Sequence, residues 1–167
     1  MTRRFIAPAK NLRCLTSALV LLLAIATAAC AADSRPDLGE IGKASCRQQQ
    51  PIVLVFSLPA CPFCIRLRQE VLRPLELAGV FPGQALLQEV IWDPNRAVRG
   101  FDGEMTNGER LAEGYQIPIS PTVLLVDGLG REIGERLIGY SGPDYYSLKL
   151  EQTIAAARVD CSSSASD

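Results

Sequence analysis

The chain predicts an α/β fold, and three observations carry that prediction. The run Ile52-Val53-Leu54-Val55-Phe56 is continuous, β-branched and apolar, the pattern of a strand buried on both faces of a sheet. Helical periodicity begins straight after Cys61, with Leu67, Val71, Leu75 and Ala78 spaced by threes and fours and Arg66, Arg68, Glu70 and Arg73 around the remainder. Two further apolar runs, Leu86 to Trp92 and Thr122 to Val126, read as strands, with a short helix between them.

Taken in order, residues 1–32 read as an export signal peptide. Arg3, Arg4, Lys10 and Arg13 form a basic start, Leu15 to Ala29 an apolar stretch, and small residues follow. Cleavage after Ala28 or after Ala31 fits equally, and Thr27-Ala28-Ala29-Cys30 resembles a degenerate lipobox that would make Cys30 a lipid anchor. Twin-arginine export is a further option from Arg3-Arg4, although these arginines lie far from the apolar stretch. An apolar run of about 15 residues falls short of the ~20 that span a bilayer.

Residues 33–45 are polar, carry Gly39 and Gly42, and read as a flexible lead-in with at most one short helix. Residues 46–159 form the domain, and the serine-rich 160–167 read as a disordered tail. Within the domain, Pro74 should interrupt its helix because it lacks an N–H and crowds the preceding turn. Asn95 to Met105 has no clear period and reads as a loop; its Asp102 and Glu104 read as an acidic turn in preference to a metal loop. Thr106 and Glu109 then suggest a capping box. Arg131 to Tyr140 reads as a strand returning after the turn Asp127-Gly128-Leu129-Gly130, and Asp144 to Ala157 as the last helix.

The chemistry centres on Cys61-Pro62-Phe63-Cys64 at the first strand-to-helix junction. Pro62 suits the first helical position, where its missing N–H costs nothing. Cys61 then falls at the N-cap, where backbone donors favour thiolate over thiol and depress the pKa from its ordinary ~8.5. A structural zinc site needs four ligands, and the chain has no histidine and no second pair at this spacing. A purely structural bridge between residues so close removes little loop entropy and is prone to strain. Redox chemistry is the remaining reading, with no metal and no organic cofactor.

Without residues 1–32 the chain keeps 13 basic and 18 acidic residues, a net charge of −5. That balance and the lack of any basic run argue against nucleic acid and anionic membrane as partners. Cys46, Cys61, Cys64 and Cys161 remain, which suits a compartment where disulfides form.

The element order, with this motif at the first strand–helix junction, resembles the thioredoxin fold over roughly residues 45–158. Ser120-Pro121-Thr122 matches the cis-proline segment of that superfamily, and Gly139 matches the small residue kept beside the substrate groove. Asp102-Gly103, Ser120-Pro121-Thr122 and Ile138-Gly139-Tyr140-Ser141 are similar to exported SoxW-type proteins. The resemblance implies a central mixed sheet flanked by helices. It also implies Cys61 as attacking thiolate, Cys64 as resolving thiol, and a groove lined by Pro62, Phe63, Ser120, Pro121 and Gly139, with Ser57 and Tyr140 at its rim. The chain departs from thioredoxin in three places: Val55 stands where thioredoxin has a buried aspartate, Ile65 where it has lysine, and Ala60 where it has tryptophan.

The same resemblance implies a periplasmic disulfide reductase acting on exported proteins, supplied by a membrane electron donor and working as a monomer. A disulfide oxidant or isomerase and a non-catalytic binding module are the alternatives. In such a fold Cys46 and Cys161 both lie at the sheet's periphery and could form a second, structural disulfide; two free thiols are the other option.

Overall fold

The computed structural model describes residues 35–81 and 83–162. The leader at 1–32, with both cleavage sites and Cys30, and the tail residues 163–167 lie outside the described residues. In chain order the elements are α1 (Leu38–Gln48), β1 (Ile52–Ser57), α2 (Pro62–Leu67), a π-helical turn (Arg68–Leu72), α3 (Arg73–Leu77), β2 (Leu86–Ile91), β3 (Ala97–Arg99), β4 (Met105–Asn107), α4 (Gly108–Gly114), β5 (Thr122–Val126), β6 (Leu137–Ile138) and α5 (Pro143–Ala156). The four-stranded sheet runs β2-β1-β5-β6. Its β1–β2 pair is parallel, and its β1–β5 and β5–β6 pairs are antiparallel.

Side-chain alternation along β1 builds two cores from one strand. Val53 and Val55 face Leu67, Val71, Tyr146, Leu150 and Ile154 on one side of the sheet. Ile52, Leu54 and Phe56 face Leu38, Val98, Ala112 and Ile117 on the other. Both sides are covered by helices, which explains why the strand is apolar throughout rather than alternating. No helix among the described residues is long and apolar enough to cross a membrane.

Four segments differ from the sequence-based expectation. The lead-in is a helix: Asp37 accepts the Glu40 N–H at 2.9 Å and caps α1, whose Leu38 is buried in the second core. Its glycines permit contact here rather than breaking the helix, since a Cβ on Gly42 would run into the Gly128 carbonyl. The loop from Asn95 contains the β3–β4 hairpin, whose three-residue strands are too short to show a period. The cap of α4 is Asn107, which accepts the Arg110 N–H at 2.9 Å, while Thr106 belongs to β4. The returning strand holds only Leu137–Ile138 and an isolated Val126–Glu132 bridge, because the chain bends at Gly134 beside Thr153 and Leu125. Pro74 does interrupt its helix: just ahead of it the coil widens, and the Arg73 N–H reaches back to Arg68 O.

Cys46 of α1 is bonded to Cys161, with Cα atoms 5.7 Å apart across a separation of 115 residues. The bridge rests on the turn after β5, where a Cβ on Gly128 would strike the Cys46 sulfur. Buried Asp127 organises that turn by accepting the Leu129 N–H at 2.9 Å and the Arg131 N–H at 3.0 Å. Arg131 donates in turn to the carbonyls of Asp160 and Ser162, so residues 160–162 of the expected disordered tail are tied to the domain.

In the chain-entropy description, closing a loop of this length stabilises by up to about 4.7 kcal/mol. Replacing both Cys46 and Cys161 with alanine is expected to lower the unfolding free energy by about 2–5 kcal/mol in urea titrations. Alkylation of both sulfurs in unreduced native protein, seen by peptide mapping, would show that no bridge forms.

Candidate active site

Cys61 caps α2. Its Sγ accepts the Cys64 N–H at 3.2 Å, its carbonyl accepts the Ile65 N–H at 3.0 Å, and Pro62 occupies the first turn. The helix N-terminus thus directs an otherwise unpaired donor at the sulfur. Cys61 is half-exposed, whereas Cys64, one turn further in, is 3 % exposed.

Strand register assembles the opposite wall. Phe56 pairs with Thr122, so extending the antiparallel ladder by two residues places Leu58 across from Ser120. The Leu58 N–H donates to Ser120 Oγ at 3.0 Å, and the same oxygen lies 3.0 Å from Cys64 Sγ. The Ser120–Pro121 bond is cis. Thr122 also pairs with Ile138, which brings Gly139 beside Pro121, and the Gly139 N–H donates to the Pro121 carbonyl at 2.8 Å. Gly139 has φ +75, a conformation that suits glycine, and a Cβ there would meet Ile119.

The two thiols are driven in opposite directions. Burial by itself would raise Cys61, but hydrogen bonds from the Cys64 side chain and N–H, from Ser120 and from the Phe63 N–H outweigh it and hold this thiol below its ordinary value. Burial pushes Cys64 up, and its hydrogen bond to Cys61 pushes it further; Ser120 and the Leu58 N–H only partly oppose this. The outer sulfur therefore ionises first and the inner one holds its proton.

The predicted residues Cys61, Pro62, Phe63, Cys64, Ser120, Pro121 and Gly139 lie on three segments joined by these contacts. Phe63 is 53 % exposed beside the sulfurs. Ser57 is not on a rim: it is 1 % exposed and its hydroxyl donates to Glu89, which is also bound by Arg68. Tyr140, partly exposed, donates its hydroxyl to Glu70, with the Arg66 guanidinium 5.2 Å above its ring. Sequence reasoning missed the Ser120 hydroxyl, because its approach to Cys64 depends on register across 56 residues. It also missed the exposed Leu58, Ile119 and Ile138, which are neighbours of site residues on all three segments. Strand-end apolar residues next to the Cys61 and Pro121 motifs were the available signal.

The model of the family described as "Thioredoxin-like domain" matches residues 41–154. No curated protein matches. Among solved structures the chain is similar to "DsbH Oxidoreductase", with a TM-score of 0.55 and 18% identity over 80% of this chain and 98% of that one. It is also similar to a thioredoxin from Thermus thermophilus, with a TM-score of 0.51 and 20% identity over 73% of this chain and 88% of that one.

Iodoacetamide labelling of the reduced protein against pH is expected to modify Cys61 where Cys64 is still silent. In Ser120→Ala the Cys61 curve should move to higher pH, since a bond that favours its anion is gone. Coincident curves for the two cysteines, or no movement in the variant, would contradict the assignment.

Proposed function

The chain belongs to the thioredoxin-like family, and from that premise we propose that it is an exported thiol–disulfide oxidoreductase that reduces disulfides of partner proteins. The observation that carries the reading is the asymmetry of its two thiols: a half-exposed sulfur on a helix N-terminus, and a buried one bonded to Ser120. In the proposed reaction the Cys61 thiolate attacks one sulfur of a substrate disulfide and the other leaves as a thiol. Cys64 then attacks Cys61, the mixed disulfide breaks, and the substrate departs reduced while Cys61–Cys64 is oxidised. The exchange balances without a metal or organic cofactor.

A protein substrate suits the surroundings. Leu58, Phe63, Ile119 and Ile138 are exposed apolar residues on the segments that carry the sulfurs and Pro121, and apolar surface of this kind takes up polypeptide better than a small charged thiol. Pro62, Phe63, Ser120, Pro121 and Gly139 would line the groove, with the Ser120 backbone available to an extended segment. The leader pattern at 1–32 and the Cys46–Cys161 bridge favour an oxidising compartment, the periplasm, with electrons supplied from a membrane donor.

Cys64→Ser is expected to strand partner proteins on Cys61 as mixed disulfides, released by reductant and identifiable by mass spectrometry. Wild-type protein should reduce insulin and Cys61→Ser should not. A potential of about −200 to −230 mV is expected; a value near about −120 mV would reassign the protein as an oxidant.

A further inference from the structure

The groove wall that carries Gly139 stands on the shortest strand of the four-stranded sheet, since β6 holds only Leu137 and Ile138. Past the bond from the Gly139 N–H to the Pro121 carbonyl, no sheet pairing among the described residues holds Gly139-Tyr140-Ser141-Gly142 before α5 begins at Pro143. The backbone turns at both ends of this segment, with φ +75 at Gly139 and +116 at Gly142. With so little backbone pairing, its position depends on side chains.

Tyr140 makes those contacts. Its hydroxyl donates to Glu70, and its ring lies 5.6 Å from the Tyr146 ring and 5.2 Å beneath the Arg66 guanidinium. Arg66 in turn donates to both Glu70 oxygens, at 3.0 and 3.2 Å. Arg66 belongs to α2, two residues after Cys64, and Glu70 to the π-helical turn that continues that helix. Three side chains thus close a ring of contacts between the helix that carries the thiols and the segment that follows Gly139. Hydrogen bonds from Arg66 and then Tyr140 hold the Glu70 carboxyl below its usual range, while burial and then the bond to Glu70 push the Tyr140 phenol up to about 12. At neutral pH the acceptor is charged and the donor keeps its proton, the combination that makes a hydrogen bond strong.

We propose that Arg66, Glu70 and Tyr140 are positioning residues, which latch the Gly139 wall to the active-site helix and so set the width of the groove that receives a polypeptide disulfide. The inference rests on the oxidoreductase reading above and deepens it by separating two substrate classes. A polypeptide must fit between the α2 side, where Phe63 is exposed, and the Pro121–Gly139 side, where Ile119 and Ile138 are exposed, so it senses the spacing of the walls. A small disulfide reaches Cys61 without spanning them. A groove already held at its bound width also spares the complex the cost of ordering it. The latch carries no proton or electron, and none of its three residues is among the groups that lower the Cys61 thiol.

The test is Tyr140→Phe, which removes the hydroxyl and keeps the ring beneath Arg66. In single turnovers of the reduced protein, the insulin concentration giving half the saturating rate should rise about threefold to tenfold, the scale of one hydrogen bond to a charged group, with the saturating rate similar. The rate with hydroxyethyl disulfide, small and uncharged, should fall by less than about twofold. Glu70→Gln should shift the insulin value in the same direction, and the double variant should be no worse than Glu70→Gln alone, since both changes remove one bond. In each variant the Gly139 amide should exchange with deuterium about threefold to tenfold faster, and gain more than the Leu124 amide in mid-β5. Equal slowing with both disulfides would mark a general loss of folding, an unchanged insulin value would show that the wall spacing does not govern binding, and additive variants would show that the two residues do not act through one contact; each overturns the proposal. If the wild type reduces no disulfide, the oxidoreductase reading fails, and the Gly139 exchange alone upholds or overturns the latch.

Discussion

Everything at the site hangs on β1, a strand paired on both edges and buried on both faces. Its C-terminal end places Cys61, the N-cap of α2, four residues later, and its antiparallel register with β5 fixes where Ser120 and Pro121 arrive. Three segments distant in sequence therefore meet at one end of the sheet by ladder arithmetic alone: Leu58 faces Ser120, and Pro121 faces Gly139. A one-residue slip would turn every side chain of β1 to the opposite core and dismantle both contacts together. The buried Ile52, Val53, Leu54, Val55 and Phe56 of the strand hold the register, so the precision of the polar site is supplied by apolar packing.

Legibility follows range along the chain. The helix cap at Cys61 was readable because its signal is local: an apolar run, a cysteine, a proline and then a helical period. The strands β1, β2 and β5 were readable for the same reason. Helix α1 was legible only as one short helix in a flexible lead-in, because Gly39 and Gly42 look like breakers until the Gly128 carbonyl is placed against Gly42. Residues Ala97–Arg99 and Leu137–Ile138 become strands through partners rather than through any pattern of their own. The Ser120 hydroxyl was invisible for a related reason, since nothing near Ser120 in sequence announces a sulfur. The resemblance to the superfamily supplied the position of Pro121 and Gly139, but the hydrogen bonds that give those positions meaning came from register.

The disulfide and the site sit on different parts of one frame. Cys46–Cys161 joins α1 to the chain end across the turn after β5, and Arg131 reinforces the same closure through Asp127 and the carbonyls of Asp160 and Ser162. None of these residues touches Cys61 or Cys64. In the proposed reaction the Cys61–Cys64 pair opens and closes, while the structural bridge is built on other segments and closes a long loop.

The replacement of a buried acid by Val55 has a structural answer in the neighbouring strand. Val55 is 2 % exposed and pairs with Glu89, so the nearest register position does carry a carboxylate. That carboxylate is already taken, bound by the Ser57 hydroxyl and by two nitrogens of Arg68. It serves as part of a neutralised pair on the α2 side of β2, and drawing it into proton transfer would mean breaking three contacts. The polar groups left beside the Cys64 sulfur are uncharged: Ser120 and the Leu58 N–H. Such a site cannot carry the proton away on a fixed base. It can lower the cost of the buried thiolate long enough for attack, and the departing substrate sulfur then becomes the acceptor. In the proposed reaction, resolution would be coupled to how basic the leaving thiol is, a dependence that a fixed internal carboxylate would weaken.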